Sequence, residues 1–200
     1  MFKKLSLLVL CTVSIYAMHE AEININNKDL EIGAKFDLGQ VNERIEPATT
    51  YIGINYINAS DKYSDIDGED ANVSSFYEIN FLMKREVKNS GVEIGIGIKA
   101  NYTSLDENFI TLPLGIEVGY TVPVAVPIKF GVELYYAPES LAVTDVHSYL
   151  ETRAHVSVEL IEKGYIMAGY RNINTNLKVD SEAYKINYNS SVYFGFKFDF

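Results

Sequence analysis

From Leu30 to Phe200 apolar and polar residues alternate with a period of two, the period at which a β-strand sends successive side chains to opposite faces. Between Gly91 and Tyr102 one face carries Val92, Ile94, Ile96, Ile98, Ala100 and Tyr102, and the other Gly91, Glu93, Gly95, Gly97, Lys99 and Asn101. A helix would scatter these apolar residues around its cylinder, so the segment reads as a strand. The same pattern recurs at Ile32 to Leu38, Val73 to Lys84, Ile110 to Tyr120, Ile128 to Tyr136 and Val146 to Leu160. In the last of these, His147, Glu151, Arg153, His155, Ser157 and Glu159 share the polar face. Weaker alternation runs through Tyr51 to Tyr56 and Tyr165 to Asn172. The chain finishes with Val192, Phe194, Phe196, Phe198 and Phe200 on one face.

Nine strands follow from this pattern. A short first strand around Ala21 to Asn26, turning at Asn27-Lys28-Asp29, makes ten; eight is the alternative if the two N-terminal segments pair loosely or form a plug. The expected fold is all-β, a small antiparallel transmembrane β-barrel. Period alone does not say which face is inside, and a soluble barrel with apolar residues inward shares it. Three features favour the membrane. The terminal run of alternating aromatics resembles the insertion signal of outer-membrane barrels, the polar face mixes glycine with both signs of charge, and the connections alternate in length.

Counting back from a C-terminal strand that ends at the periplasm assigns the connections to sides. Those around Lys163-Gly164, Val122 to Val126 and Val87 to Ser90 become short periplasmic turns. Those at Asn58 to Asn72, Thr103 to Asn108, Pro138 to Asp145 and Thr175 to Tyr184 become longer outer loops rich in polar residues. Gln40 to Thr49 is long for a periplasmic turn. With 15 Tyr, 10 Phe and no Trp, an interfacial girdle has to come from Tyr and Phe.

Two hundred residues suit one domain. The start reads as a secretory signal over residues 1–17, with the barrel at 18–200. Lys3 and Lys4 form the basic region, Leu5 to Ile15 the apolar run and Ile15-Tyr16-Ala17 the cleavage site. The single cysteine, Cys11, lies in that leader and follows Leu10, which does not suit a lipoprotein signal; without the leader no disulfide is available. Removing Lys3 and Lys4 makes the net charge of −10 more negative by two, which speaks against nucleic acid as a partner.

Leu112-Pro113-Leu114-Gly115 through Tyr120 and Glu133-Leu134-Tyr135-Tyr136-Ala137-Pro138-Glu139 resemble the YfaZ family of outer-membrane proteins. So do Tyr149-Leu150-Glu151-Thr152-Arg153-Ala154 and Gly169-Tyr170-Arg171. The resemblance implies a small β-barrel in the outer membrane of a Gram-negative bacterium. Outer-membrane lipid and the barrel-assembly machinery are then the expected partners. It carries no activity with it.

The expected lumen charge network is Glu93, Lys99, Glu117, Lys129, Glu133, Glu151, Arg153, Glu159 and Arg171, with Lys35, Asp37, Glu78, Lys197 and Asp199 on the same face. Charges withdrawn from water must pair, so the reading is an ion-pair network filling a narrow barrel. A narrow pore for small solutes is the alternative, although open channels are typical of barrels with about sixteen strands. A third reading is a surface hydrolase. Asp65 and Asp67, with Asp145 and His147, are similar to the catalytic arrangement of omptin proteases. By that analogy His147 is a general base oriented by Asp145, while Asp65 and Asp67 position a water. His155-Val156-Ser157 has the His-x-Ser spacing of outer-membrane lipid A deacylases; a structural histidine is the competing explanation. Asp61, Asp65, Asp67, Glu69 and Asp70 crowd around Gly68, too short and irregular for a twelve-residue calcium loop and best read as a solvated acidic loop. No cofactor and no metal site are expected.

Overall fold

The computed structural model describes residues 20–59, 62–64, 70–72, 75–104, 108–143, 146–179 and 182–200. The expected leader and cleavage site fall outside these residues, as do Asp65, Asp67 and Asp145. Ten strands form the wall: β1 (Glu20–Ile25), β2 (Asp29–Asp37), β3 (Thr50–Ala59), β4 (Phe76–Glu86), β5 (Val92–Ser104), β6 (Leu114–Val122), β7 (Ile128–Pro138), β8 (Val146–Ile161), β9 (Gly164–Val179) and β10 (Glu182–Asp199). Each pairs antiparallel with the next, and β10 closes on β1 from Glu20 opposite Asp199 to Ile25 opposite Phe194. Closure leaves the barrel no sheet edge at that seam. The short first strand therefore exists, and the count is ten.

The structure decides which face is inside. Ile94, Ile96 and Ile98 on β5, and Leu114, Ile116 and Val118 on β6, face outward, as do Val192, Phe194, Phe196, Phe198 and Phe200. Phe194 is 65 % exposed, whereas Glu31, Glu78, Lys99, Glu151, Arg153 and Arg171 of the opposite face are buried. An apolar surface running round the whole wall suits lipid and not water. On its outer side Tyr56, Tyr77 and Tyr102 stand opposite one another on β3, β4 and β5. Their ring centroids are 5.2 Å and 6.3 Å apart, a segment of girdle made of tyrosine.

Both ends of the described chain lie at one rim, here the terminal rim. There the β4–β5 hairpin turns through Lys88 and Asn89, both with positive φ, the geometry a two-residue turn needs to match strand twist. The long connection between β2 and β3 is also at this rim. Buried Asp37 ties it at both ends, accepting from Gly39 N at 2.9 Å and Ala48 N at 2.8 Å. One carboxylate thus makes a compact structure of what length alone suggests is an awkward turn.

At the far rim, the stretch Thr175 to Tyr184 is mainly paired strand and not loop: β9 and β10 continue to Val179 opposite Glu182. Leu38–Gln40 and Glu139–Leu141 are single 3-10 turns, and Asn108–Thr111 is a short strand laid beside β5.

Two irregularities re-aim side chains. A bulge between Val146 and Ser148 breaks the alternation of β8, so Val146 is buried and His147 is exposed. This corrects the expectation that His147 shares a face with Glu151 and Arg153. On β10 the ladder shifts between Asn189 and Asn187, and Tyr188 and Ile186 both turn inward.

Candidate functional site

Among the described residues, polar and charged groups converge from every wall in the interior of the barrel, which is built in three layers. The far-rim layer is apolar. Ile57, Phe76, Phe109, Ala137, Val146, Tyr149, Ile173, Ile186 and Tyr188 form a buried cluster, with Leu141 and Ala142 packed against it. Phe109, carried inward by the short strand, has its ring 6.1 Å from Tyr149 and 5.7 Å from Tyr188; Phe76 completes the group at 6.4 Å and 5.9 Å from the same two rings. Leu112 N donates to Leu141 O at 2.8 Å and ties the two segments over it. Nothing in the period-two pattern foreshadows this cluster. Phe109 lies between the expected loop Thr103 to Asn108 and the expected strand from Ile110, and the bulges that turn Val146, Ile186 and Tyr188 inward leave no mark in the alternation.

The middle layer is ionic. Glu31 on β2, with no exposure, accepts from Arg153 and Arg171 and from the amides of Asn55 at 2.6 Å and Asn24 at 2.9 Å. Arg171 also reaches Asp29 at 2.6 Å, and Arg153 reaches Glu22 at 3.2 Å. Asn189 donates to the second oxygen of Asp29. Beside this group Lys99 lies 2.9 Å from Glu151 and 3.1 Å from Glu78, while the Tyr149 hydroxyl donates to Glu151 at 2.9 Å. Ion pairing of each buried charge is what makes such burial tolerable, since an isolated ion here costs roughly several kcal/mol.

The terminal-rim layer is looser. Glu20 faces Lys84 at 3.5 Å and Lys35 at 3.8 Å, Lys129 pairs with Glu93, and Lys197 with Asp199 at 3.3 Å. Glu117 accepts from the Tyr135 hydroxyl at 2.6 Å. Two cavities, of about 70 Å³ and 30 Å³, lie within this half, both lined by Glu117 and Glu133. Glu159 stands apart from the network: at the rim its carboxylate accepts from Lys163 N at 3.0 Å, capping the β8–β9 turn.

Lumenal glycines have a physical role here. Tyr135 lies flat on Gly115 and Gly97, and a β-carbon at Gly115 would strike both the Tyr135 ring and Leu134 O. Tyr193 covers Gly169 and His155 covers Gly131 in the same manner, and Gly131, His155, Gly169 and Tyr193 form one row across four strands. The bare backbone gives large rings room to lie along the wall and fill the bore.

Of Asp65, Asp67, Asp145 and His147, only His147 falls among the described residues. It is exposed, and its Nδ1 lies 3.0 Å from Glu139 Oε2. His155 and Ser157 both line the larger cavity, but no hydrogen bond joins them, and the buried Nδ1 of His155 has no partner among the described residues. No three His, Cys, Asp or Glu side chains among the described residues come together as metal ligands.

A closed antiparallel barrel with an apolar exterior and a charged, hydrogen-bonded interior defines an outer-membrane β-barrel protein. The chain belongs to the YfaZ family: the family model described as YfaZ precursor matches residues 4–200. No curated protein matches it. Among solved structures it is similar to OmpT (in-vitro folded), an outer membrane protein of Vibrio cholerae, at 10 % identity and a TM-score of 0.35. That match covers 90 % of this chain and 64 % of the other. The trimer form of the same protein matches at 12 % identity and a TM-score of 0.33, over 84 % of this chain and 54 % of the other. The chain thus spans less than two thirds of the length of either, and likeness of this degree carries no argument about activity.

Proposed function

We propose that the protein is a non-enzymatic envelope protein of a Gram-negative outer membrane whose lumen is filled and does not conduct. The observation that carries this reading is the stacking of two seals in series. The aromatic cluster around Phe109 occupies the far-rim half, and the Glu31, Arg153 and Arg171 network occupies the middle. A conducting path has to cross both, and the cavities of about 70 Å³ and 30 Å³ lie on only one side of them. In this reading the terminal rim faces the periplasm, outer-membrane lipid covers the apolar belt, and the barrel-assembly machinery reads the run from Val192 to Phe200. Planar-bilayer recording on refolded protein tests the proposal. A flat current trace at all applied voltages is expected; discrete conductance steps would overturn the closed lumen in favour of a narrow pore for small solutes.

A further inference from the structure

A groove of about 640 Å³, far larger than either lumenal cavity, lies on the outer wall across β10, β1, β2, β3 and β4. Its form follows from side-chain size along one row of the sheet. Phe198, Ala21, Ala34, Ile54 and Ile79 stand opposite one another on those five strands in that order. The paired alanines make a low floor, and the ring of Phe198 and the branched chains of Ile54 and Ile79 rise on either side of it. In the next row toward the far rim Phe196, Ile23, Ile32, Tyr56 and Tyr77 follow the same strands.

The surroundings say what fills this hollow. It opens on the apolar exterior, where hydrocarbon is the medium. Wall atoms facing an unfilled gap lose their dispersion contacts on that side, and a flexible chain can follow a hollow that a rigid surface bridges. The groove is also polar at one end only. At its far-rim end stand Tyr56 and Tyr77 of the girdle, with the Tyr56 hydroxyl 3.1 Å from that of Ser75, and interfacial tyrosines sit at the level of lipid head groups. A second copy fits less well. A two-fold contact centred here brings the same patch from both sides, so alanine floor would face alanine floor and leave the space empty.

We infer that the groove holds an acyl chain of a membrane lipid, with the head group at Tyr56 and Tyr77 and the chain over Ala21 and Ala34 toward Phe198. Lipid tails are as apolar as this wall, so retention rests on packing and not on the hydrophobic effect. The hollow surrounds the chain with contacts that the convex remainder of the wall does not offer. The groove needs only the lipid-facing exterior, so a conducting lumen would leave it standing.

Native mass spectrometry of the full chain, refolded into phosphatidylcholine vesicles and released into mild detergent, tests the inference. One phosphatidylcholine is expected to stay bound. Ala21→Phe/Ala34→Phe raises the floor and should lose it. Ala154→Phe, at an outward alanine of β8 away from the groove, should keep it. Folding of each variant is checked by heat-modifiable gel mobility. A phosphatidylcholine with a photoreactive group on its chain gives a second reading on the unaltered protein. Crosslinks should gather on residues 21–34 and on Phe196 and Phe198, and not on the outward face of β6 and β7. Retention unchanged in the double Phe variant, no lipid bound to the unaltered chain, or crosslinks spread evenly round the wall would overturn the site. So would a dimer that the double substitution breaks, which gives this face to a second copy.

Discussion

Arg171 on β9 and Glu31 on β2 stand 140 positions apart in the chain and share an ion pair inside the barrel, with no exposure of either side chain. The contact spans the bore and not neighbouring strands, so it forms only once the wall has curved. Arg153 donates to the other oxygen of the same carboxylate. One glutamate therefore joins β2, β8 and β9 across the lumen.

Removing one member of such a group leaves the others buried and under-compensated. Arg171→Ala should lower the stability of the refolded barrel by about 3–5 kcal/mol, because Asp29 and Glu31 both lose a cation. Urea unfolding in detergent micelles or vesicles reads this directly. Arg85→Ala, which breaks an ion pair with Glu46 at 2.7 Å on the exposed rim, should leave the midpoint unchanged.

The two seals are predicted to act independently. Phe76→Ala combined with Tyr188→Ala empties part of the aromatic cluster and should cost several kcal/mol, since a single Phe→Ala in a core costs about 3–5. The ionic layer beneath is untouched, so the variant should still record a flat trace in planar bilayers. Conductance steps from this variant alone would show that the ionic layer does not close the bore.

Gly115→Ala should destabilise the barrel through a collision with the Tyr135 ring and Leu134 O. Pairing it with Tyr135→Leu relieves the ring contact but gives up the hydroxyl that serves Glu117. A double-mutant cycle of urea midpoints should therefore show non-additivity, with the double variant more stable than the sum of the singles. Strict additivity would mean that the ring does not rest on the glycine.

The outward apolar face is tested by charge. Ile96→Arg, at a position 64 % exposed near the middle of β5, should cost about 2–4 kcal/mol when the protein is refolded into lipid vesicles. The same exposed substitution on a barrel surrounded by water would be tolerated within roughly 0.5 kcal/mol. Near-neutral behaviour in vesicles would refute the membrane-facing assignment of that face.

Strand-forming segments were legible because period-two alternation is a local property, written in residues two apart such as Ile94, Ile96 and Ile98. A count of ten, with eight as the alternative, followed for the same reason; the brief first strand needs only Ala21, Ile23 and Ile25 on one face, and its pairing with β10 decides for ten. Charges on the opposite face announced a second, polar face of the wall. Their partners did not appear, because Glu31 finds Arg171 through barrel curvature and shear, neither of which is encoded in any window of the chain.

By itself, then, the sequence determined the element type and the two chemically distinct faces of the wall, and left the strand number at ten or eight; closure of β10 on β1 fixed it at ten. The tertiary structure decided which face is inside, and it turned His147 outward and Val146, Ile186 and Tyr188 inward at places where the ladder slips. It also decided that Phe109 seals the bore and that Glu117 and Glu133 meet beside a cavity. Alternation is set by the geometry of a single strand, whereas a slip in register, a sealed bore and a cross-strand pair exist only once strands have closed on one another.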